Sequence, residues 1–193
     1  MADVEIRPAT AERFADVARV LAPKKADAPV CWCLSYRLPN AENHVLRGPD
    51  RPARLRSFCQ QDPPPGLVAY VDGEPAGWYS VGPRATLPRL VNSRTIPRVD
   101  DIPVWSVICF VIRSGYRRLG LTHQLLAAAV TYARGYGAPA LEGYPVDPAG
   151  GRISSSLAYV GTTSLFEAAG FRRVQPTAAK SGGATRWLMR LTL

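Results

Sequence analysis

The segment 104–134 constrains this chain more than any other. It runs from an apolar stretch, Val104-Trp-Ser-Val-Ile-Cys-Phe-Val-Ile112, through a polar loop, Arg113-Ser-Gly-Tyr-Arg-Arg-Leu-Gly-Leu-Thr122, into an Ala/Leu-rich stretch ending at Arg134. An almost unbroken apolar run rich in Val, Ile, Trp and Phe predicts a strand covered on both faces, inside an α/β sheet. Leu125, Ala128, Ala129 and Tyr132 recur at helical spacing, so 121–134 reads as a helix, closed by Gly135 and Gly137. A strand feeding a helix through a tight loop presents the helix N-terminus beside the sheet, with its unpaired N–H groups and positive dipole end. Such a terminus takes an anion, and a pyrophosphate fits it. Gly120 allows the backbone to approach a phosphate closely, and Arg113, Arg117 and Arg118 add positive charge.

The rest of the chain supplies the elements such a unit needs. Val4–Arg7 reads as a strand, and Thr10 is placed to cap a helix with Phe14, Val17 and Leu21 on its apolar face. Leu67–Val71 and Ala76–Val81 are strands joined by the hairpin signal Asp72-Gly73. Ala140–Val146, Phe171–Val174 and Thr185–Leu193 read as further strands, and Thr162–Ala169 as a short helix stopped by Gly170. Residues 23–63 carry only weak helical signals around 41–60, and 82–103 is a Pro- and Arg-rich connection. With 193 residues, no internal repeat and no interdomain linker, 1–193 is expected to be a single mixed α/β domain.

Charge bears on the partner. The chain carries 24 basic against 15 acidic residues, a net charge of +9, and 21 of the basic residues are arginine. Excess positive charge suits a polyanion, whether nucleic acid, an anionic membrane surface or a phosphorylated cofactor. The arginines are scattered and no run of five like charges occurs, so a nucleic-acid stripe is not expected. Arginine in place of lysine, with abundant Ala and Pro, also follows from a GC-rich genome. The longest apolar stretch is too short to span a bilayer, and residues 1–22 carry charges where a secretory signal would be apolar. A cytoplasmic chain with reduced thiols and no membrane partner is the expectation.

The loop Arg117-Arg118-Leu119-Gly120-Leu121-Thr122 resembles the [Q/R]-x-x-G-x-[G/A] signature of the GNAT superfamily of acyl-CoA-dependent N-acyltransferases, with Thr122 in place of the final small residue. Leu165-Phe166-x-x-x-Gly170-Phe171 is similar to the family's L-Y-x-x-x-G-F ending, and the element order fits nearly the whole chain. The resemblance implies a GNAT fold: a mixed, mostly antiparallel central sheet splayed between two parallel strands and flanked by helices. It implies acetyl-CoA as acyl donor in the split between Val104–Ile112 and Ala140–Val146. Backbone groups of Phe110, Val111 and Ile112 would pair with the pantetheine arm, and Arg117, Arg118, Leu119, Gly120, Leu121 and Thr122 would hold the pyrophosphate. An N–H of the strand would polarise the thioester carbonyl as a preplaced donor. The implied reaction is direct attack by a primary amine of a small molecule or protein.

Two departures from the family bear on catalysis. Ser106 stands where many members carry a glutamate base, and Phe166 replaces the usual tyrosine acid. Glu142 and Tyr144, sharing one face of the second splayed strand, and Tyr159 are the candidates for a catalytic or acyl-pocket role. Each has a plainer reading, as a surface carboxylate or as core aromatics with a wet hydroxyl. The same departures motivate the alternative of a non-catalytic acyl-CoA-binding module. The resemblance also implies that the region after the first helix shapes the acceptor site, which makes Trp32, Tyr36 and Arg37 candidates for substrate contact. Cys31, Cys33, His44 and Cys59 lack structural-zinc spacing, so no metal is expected, and Cys109 reads as a small core residue. A homodimer would follow if the final strands paired across an interface, which nothing in the sequence shows.

Overall fold

The computed structural model describes residues 2–23, 25, 28, 30–148, 151, 154 and 158–193, Ala158 by its backbone only. Seven strands form one sheet: β1 (Val4–Pro8), β2 (Gly66–Val71), β3 (Glu74–Pro83), β4 (Trp105–Ile112), β5 (Ala140–Gly143), β6 (Arg172–Ser181) and β7 (Ala184–Thr192). Their spatial order is β1-β2-β3-β4-β5-β7-β6. Only β4 and β5 run parallel, and every other neighbour is antiparallel. The helices are α1 (Phe14–Leu21), α2 (Asn40–Val45), α3 (Asp50–Cys59), α4 (Pro88–Val91), α5 (Leu121–Gly135) and α6 (Thr163–Ala168).

The sheet is covered on both faces, as the apolar run of β4 requires. Leu125, Leu126, Ala129 and Ala133 of α5 pack with Leu67, Tyr79, Val107 and Leu141 on one face, and Phe166 of α6 joins them. On the other face Val17 and Leu21 of α1 and Leu55 of α3 pack with Val68 and Trp78. Asp72 and Gly73 turn β2 into β3 with positive φ at both (49° and 78°), the geometry a two-residue hairpin needs.

Two irregularities of β4 and β5 shape the molecule. The β3–β4 register steps from Ser80↔Cys109 to Val81↔Val107, leaving Ile108 as an extra residue. This bulge interrupts the alternation: Val107 and Phe110 face α5, while Ile108 packs on the opposite face. The β4–β5 pairing consists of Trp105↔Leu141 and Ser106↔Glu142, and beyond it the two strands part. The β5-side backbone groups of β4 after Ser106 therefore have no partner strand among the described residues.

Three expectations need correction. The strand expected over 140–146 stops at Gly143. Pro145 has no N–H to give a ladder, and Val146 forms only isolated bridges to Thr162 and Arg186. The strand expected at 171–174 extends through Ser181 and returns through the positive-φ pair Gly182-Gly183. It is the edge strand, mostly exposed, so it shows little apolar patterning. Thr10 caps no backbone N–H; its hydroxyl instead accepts from Arg13 Nη1 at 3.1 Å.

Candidate active site

A cleft of about 770 Å³ opens where β4 and β5 part, within the size range of small-molecule sites. One end is the N-terminus of α5. Gly120, the residue preceding the helix, has φ +72°, and an added Cβ would meet nothing within 4 Å, so glycine serves the left-handed backbone rather than close packing. Its carbonyl accepts from the N–H groups of His123 (3.1 Å) and Gln124 (3.3 Å), closing the first turn. Arg118 also holds positive φ, 66°. The earlier N–H groups of the turn remain the unpaired donors of a helix start, beside the exposed side chains of Arg117 and Arg118.

Phe110, Val111, Ile112, Arg117, Arg118, Gly120, Leu121 and Thr122 all line this cleft. Leu119 does not, and its side chain is exposed. Arg113 stays out as well: Nη1 donates to the Pro75 carbonyl at 2.6 Å and the guanidinium lies over the Tyr116 ring. The far wall comes from Gly161, Thr162, Ser164 and Leu165, with Tyr159 beside them. Thr162 caps α6, accepting from the Leu165 N–H at 3.4 Å. The sequence assigns no role in the cleft to Tyr116, His123, Gly161, Thr162 or Ser164, because no charge run or periodicity marks them, and it marks Leu165 only as part of the Leu165–Phe171 motif.

The three catalytic candidates separate. Tyr159 lines the cleft and is 37% exposed. Desolvation raises its phenol above the ordinary value, the nearby Tyr36 adding to this and Arg186 opposing it, so it is neutral and holds a proton at pH 7.

Glu142 and Tyr144 share a face, as the period-two reading expects, but they are buried away from the cleft lining. Glu142 Oε1 accepts from Arg190 Nη2 (2.6 Å) and Nε (3.0 Å), while Oε2 accepts from the Tyr144 hydroxyl (3.0 Å) and lies 3.8 Å from Arg84 Nε. The Tyr144 hydroxyl also meets Ser106 Oγ at 2.8 Å. Burial and the Glu142 charge push the Tyr144 phenol well up. Both carboxylate oxygens are engaged inside the fold and neither reaches the cleft, so a proton-abstracting role for Glu142 is at odds with its position. Phe166 is fully buried, its ring pressed against Gly143 and Gly161 and T-shaped to Phe171. No carboxylate lines the cleft among the described residues.

Of the expected acceptor-site residues, only Tyr36 faces a polar cluster. Arg186 Nη1 donates to its hydroxyl at 3.0 Å, and the Arg89 guanidinium lies 5.1 Å from its ring centroid. Trp32 is buried in the core under α1. Arg37 is spent on the Pro65 carbonyl, Ser80 Oγ and the Val81 carbonyl, and burial lowers it to about 10. Cys33 Sγ lies 3.2 Å from Cys109 Sγ. No group of three His, Cys, Asp or Glu side chains able to hold a metal occurs among the described residues. No described helix is long and apolar enough to cross a membrane.

The family model "Acetyltransferase (GNAT) family" matches residues 35–147. Among solved structures, the chain is similar to mosquito arylalkylamine N-acetyltransferase like 5b, at 14% identity and TM-score 0.61, covering 99% of this chain and 100% of that one. It is similar to the Drosophila melanogaster polyamine N-acetyltransferase, at 12% identity and TM-score 0.57, covering 99% and 100%. It is similar to yncA of Salmonella typhimurium, solved with its cofactor acetyl-CoA, at 18% identity and TM-score 0.54, covering 98% and 93%. No curated protein matches the chain.

Proposed function

The chain belongs to the GNAT acetyltransferase family, and from that premise we propose that it transfers an acetyl group from acetyl-CoA to a primary amine of a small molecule or protein, by direct attack in a ternary complex. The observation that carries this reading is one continuous cleft, from the left-handed Gly120 at the head of α5, along the open edge of β4, to Tyr159. Its chemistry fits the donor: free N–H groups and two arginines at one end suit a pyrophosphate. Unpaired strand groups along the side suit an amide-bearing arm. Acetyl-CoA itself supplies an activated thioester.

The first-turn N–H groups with Arg117 and Arg118 hold the pyrophosphate, and the backbone of Phe110, Val111 and Ile112 holds the pantetheine arm. An N–H of that stretch, already in place, stabilises the charge that develops on the thioester oxygen. The amine nitrogen forms the new N–C bond while the C–S bond breaks and sulfur leaves with the electron pair. Tyr159 donates its proton to that sulfur and recovers one from solvent; the amine's surplus proton goes to water. With no carboxylate in the cleft among the described residues, the reactive species is the neutral amine already present in solution. Glu142, Tyr144 and Ser106 form a buried positioning chain that fixes the two strands where they part.

The second reading, an acyl-CoA-binding module without turnover, is favoured by Ser106 and Phe166, neither of which can serve as base or acid. Thiol release over a panel of amines separates the two. Release that falls in Tyr159→Phe, with acetyl-CoA affinity kept, supports the transferase; tight binding with no release from any amine supports the module.

A further inference from the structure

The polar cluster around Tyr36 has no part in holding the acyl donor. Tyr36 packs with Ile108, Tyr144 and Leu188 on the sheet face opposite α5. Two guanidinium groups converge on it: Arg186 at its hydroxyl, 3.0 Å away, and Arg89 over its ring. Arg186 is 5% exposed. Its Nε donates to the Tyr144 carbonyl at 2.8 Å, but its Nη2 has no hydrogen-bond partner among the described residues. Neither Arg186 nor Arg89 joins an ion pair among the described residues, whereas the nearby Arg190 is paired with Glu142 and Asp100. A buried guanidinium with an idle donor and no counter-ion is costly to keep. Its planar fork is suited to carboxylate or phosphate.

The location gives the idle donor a use. Val146 bridges both Arg186 and Thr162, a residue of the cleft wall, and the turn at 158–160 that carries the cleft residue Tyr159 packs against β4, which also brings Ile108 onto Tyr36. The cluster therefore lies beside the wall of the cleft that Thr162 helps to build. Glu142 cannot neutralise it, being engaged by Arg190 and Tyr144.

We infer that Arg186 and Arg89 receive an oxyanion, carboxylate or phosphate, carried by the acceptor close to its amine, so that the preferred acceptor is an anionic amine rather than a polycation. This inference rests on the transferase reading for its meaning but not for its test. The test is calorimetric titration of the CoA-saturated protein with a panel of α-amino acids against their decarboxylated amines, and of phosphate-bearing amines against the matching amino alcohols. In at least one pair the anionic member binds about tenfold tighter or more, the scale of one charge-assisted contact. That advantage shrinks to about threefold or less in Arg186→Gln and weakens in Arg89→Gln, whose exposed position spares the fold. The two arms tell carboxylate from phosphate. The inference is overturned if no anionic member binds better than its neutral partner, or if the advantage survives both substitutions. Failure of the transferase reading would show separately, as absent thiol release despite anionic-amine binding, or as no binding of CoA at all.

Discussion

The donor cleft and the Tyr36 cluster lie side by side but are built in opposite ways. The donor cleft takes its strand edge, phosphate loop and helix start from one contiguous stretch, 105–122, joined by a short wall at 159–165. The Tyr36 cluster brings together side chains from positions 36, 89 and 186, carried on a loop, a single-turn helix and β7. The first depends on backbone groups and one left-handed glycine, and so on local conformation. The second depends on side chains that only the finished fold brings together. A donor site of the first kind would be robust to distant change, while the proposed acceptor cluster would be sensitive to packing throughout the sheet.

The Glu142 network offers the hardest test of this division. Glu142→Gln leaves Arg190 and Arg84 with an uncharged partner in a buried site, and should cost about 3–5 kcal/mol of stability in urea unfolding. Activity per folded molecule should stay within a few-fold. A large kcat loss in a fully folded variant would make Glu142 a catalytic residue and erase the distinction drawn between it and Tyr159. Tyr159→Phe should do the reverse, lowering kcat roughly a hundredfold, the lower end of proton-transfer effects, with stability and acetyl-CoA affinity unchanged. A kcat indistinguishable from the parent would move the proton donor to solvent.

Gly143→Ala sharpens the comparison at the point where the strands part. Its new Cβ would lie 2.0 Å from Phe166 Cε1, so overpacking should cost about 1–3 kcal/mol. Adding Phe166→Leu should recover part of it. The smallest effect concerns pH. Burial raises the Cys59 thiol to about 11 from an ordinary value of 9.0. The unfolded thiol thus ionises first, and stability should fall as pH rises from about 9 to about 11, then level off. Cys59→Ala should flatten that part of the profile, at some cost in packing; an unchanged slope would assign it to other groups.

Legibility in the sequence followed the same division. The strand, loop and α5 were readable because a buried strand, an amphipathic helix and a glycine between arginines each leave a local pattern. The positive φ at Gly120 is the physical reason for that glycine. The early end of β5 was not readable, because Tyr144 and Val146 on either side of Pro145 look the same inside a ladder or just past it. The length of β6 was hidden by its exposed edge position. Glu142 looked like a free carboxylate because its partners Arg84, Asp100-bound Arg190 and Tyr144 are fixed only by tertiary packing. Arg89 and Arg186 were two of 21 arginines with nothing in their neighbours to single them out.

The central claim is that the cleft between the open edge of β4 and the head of α5 receives acetyl-CoA through its pyrophosphate. Calorimetric titration of acetyl-CoA into the parent protein and into the Arg117→Ala/Arg118→Ala double variant tests it most directly. The account predicts saturable one-to-one binding by the parent and at least about tenfold weaker binding by the variant, given the strength of charge-assisted phosphate contacts. No heat from the parent at about millimolar ligand, a level that still reveals weak sites, or equal affinity in the two proteins, would contradict it.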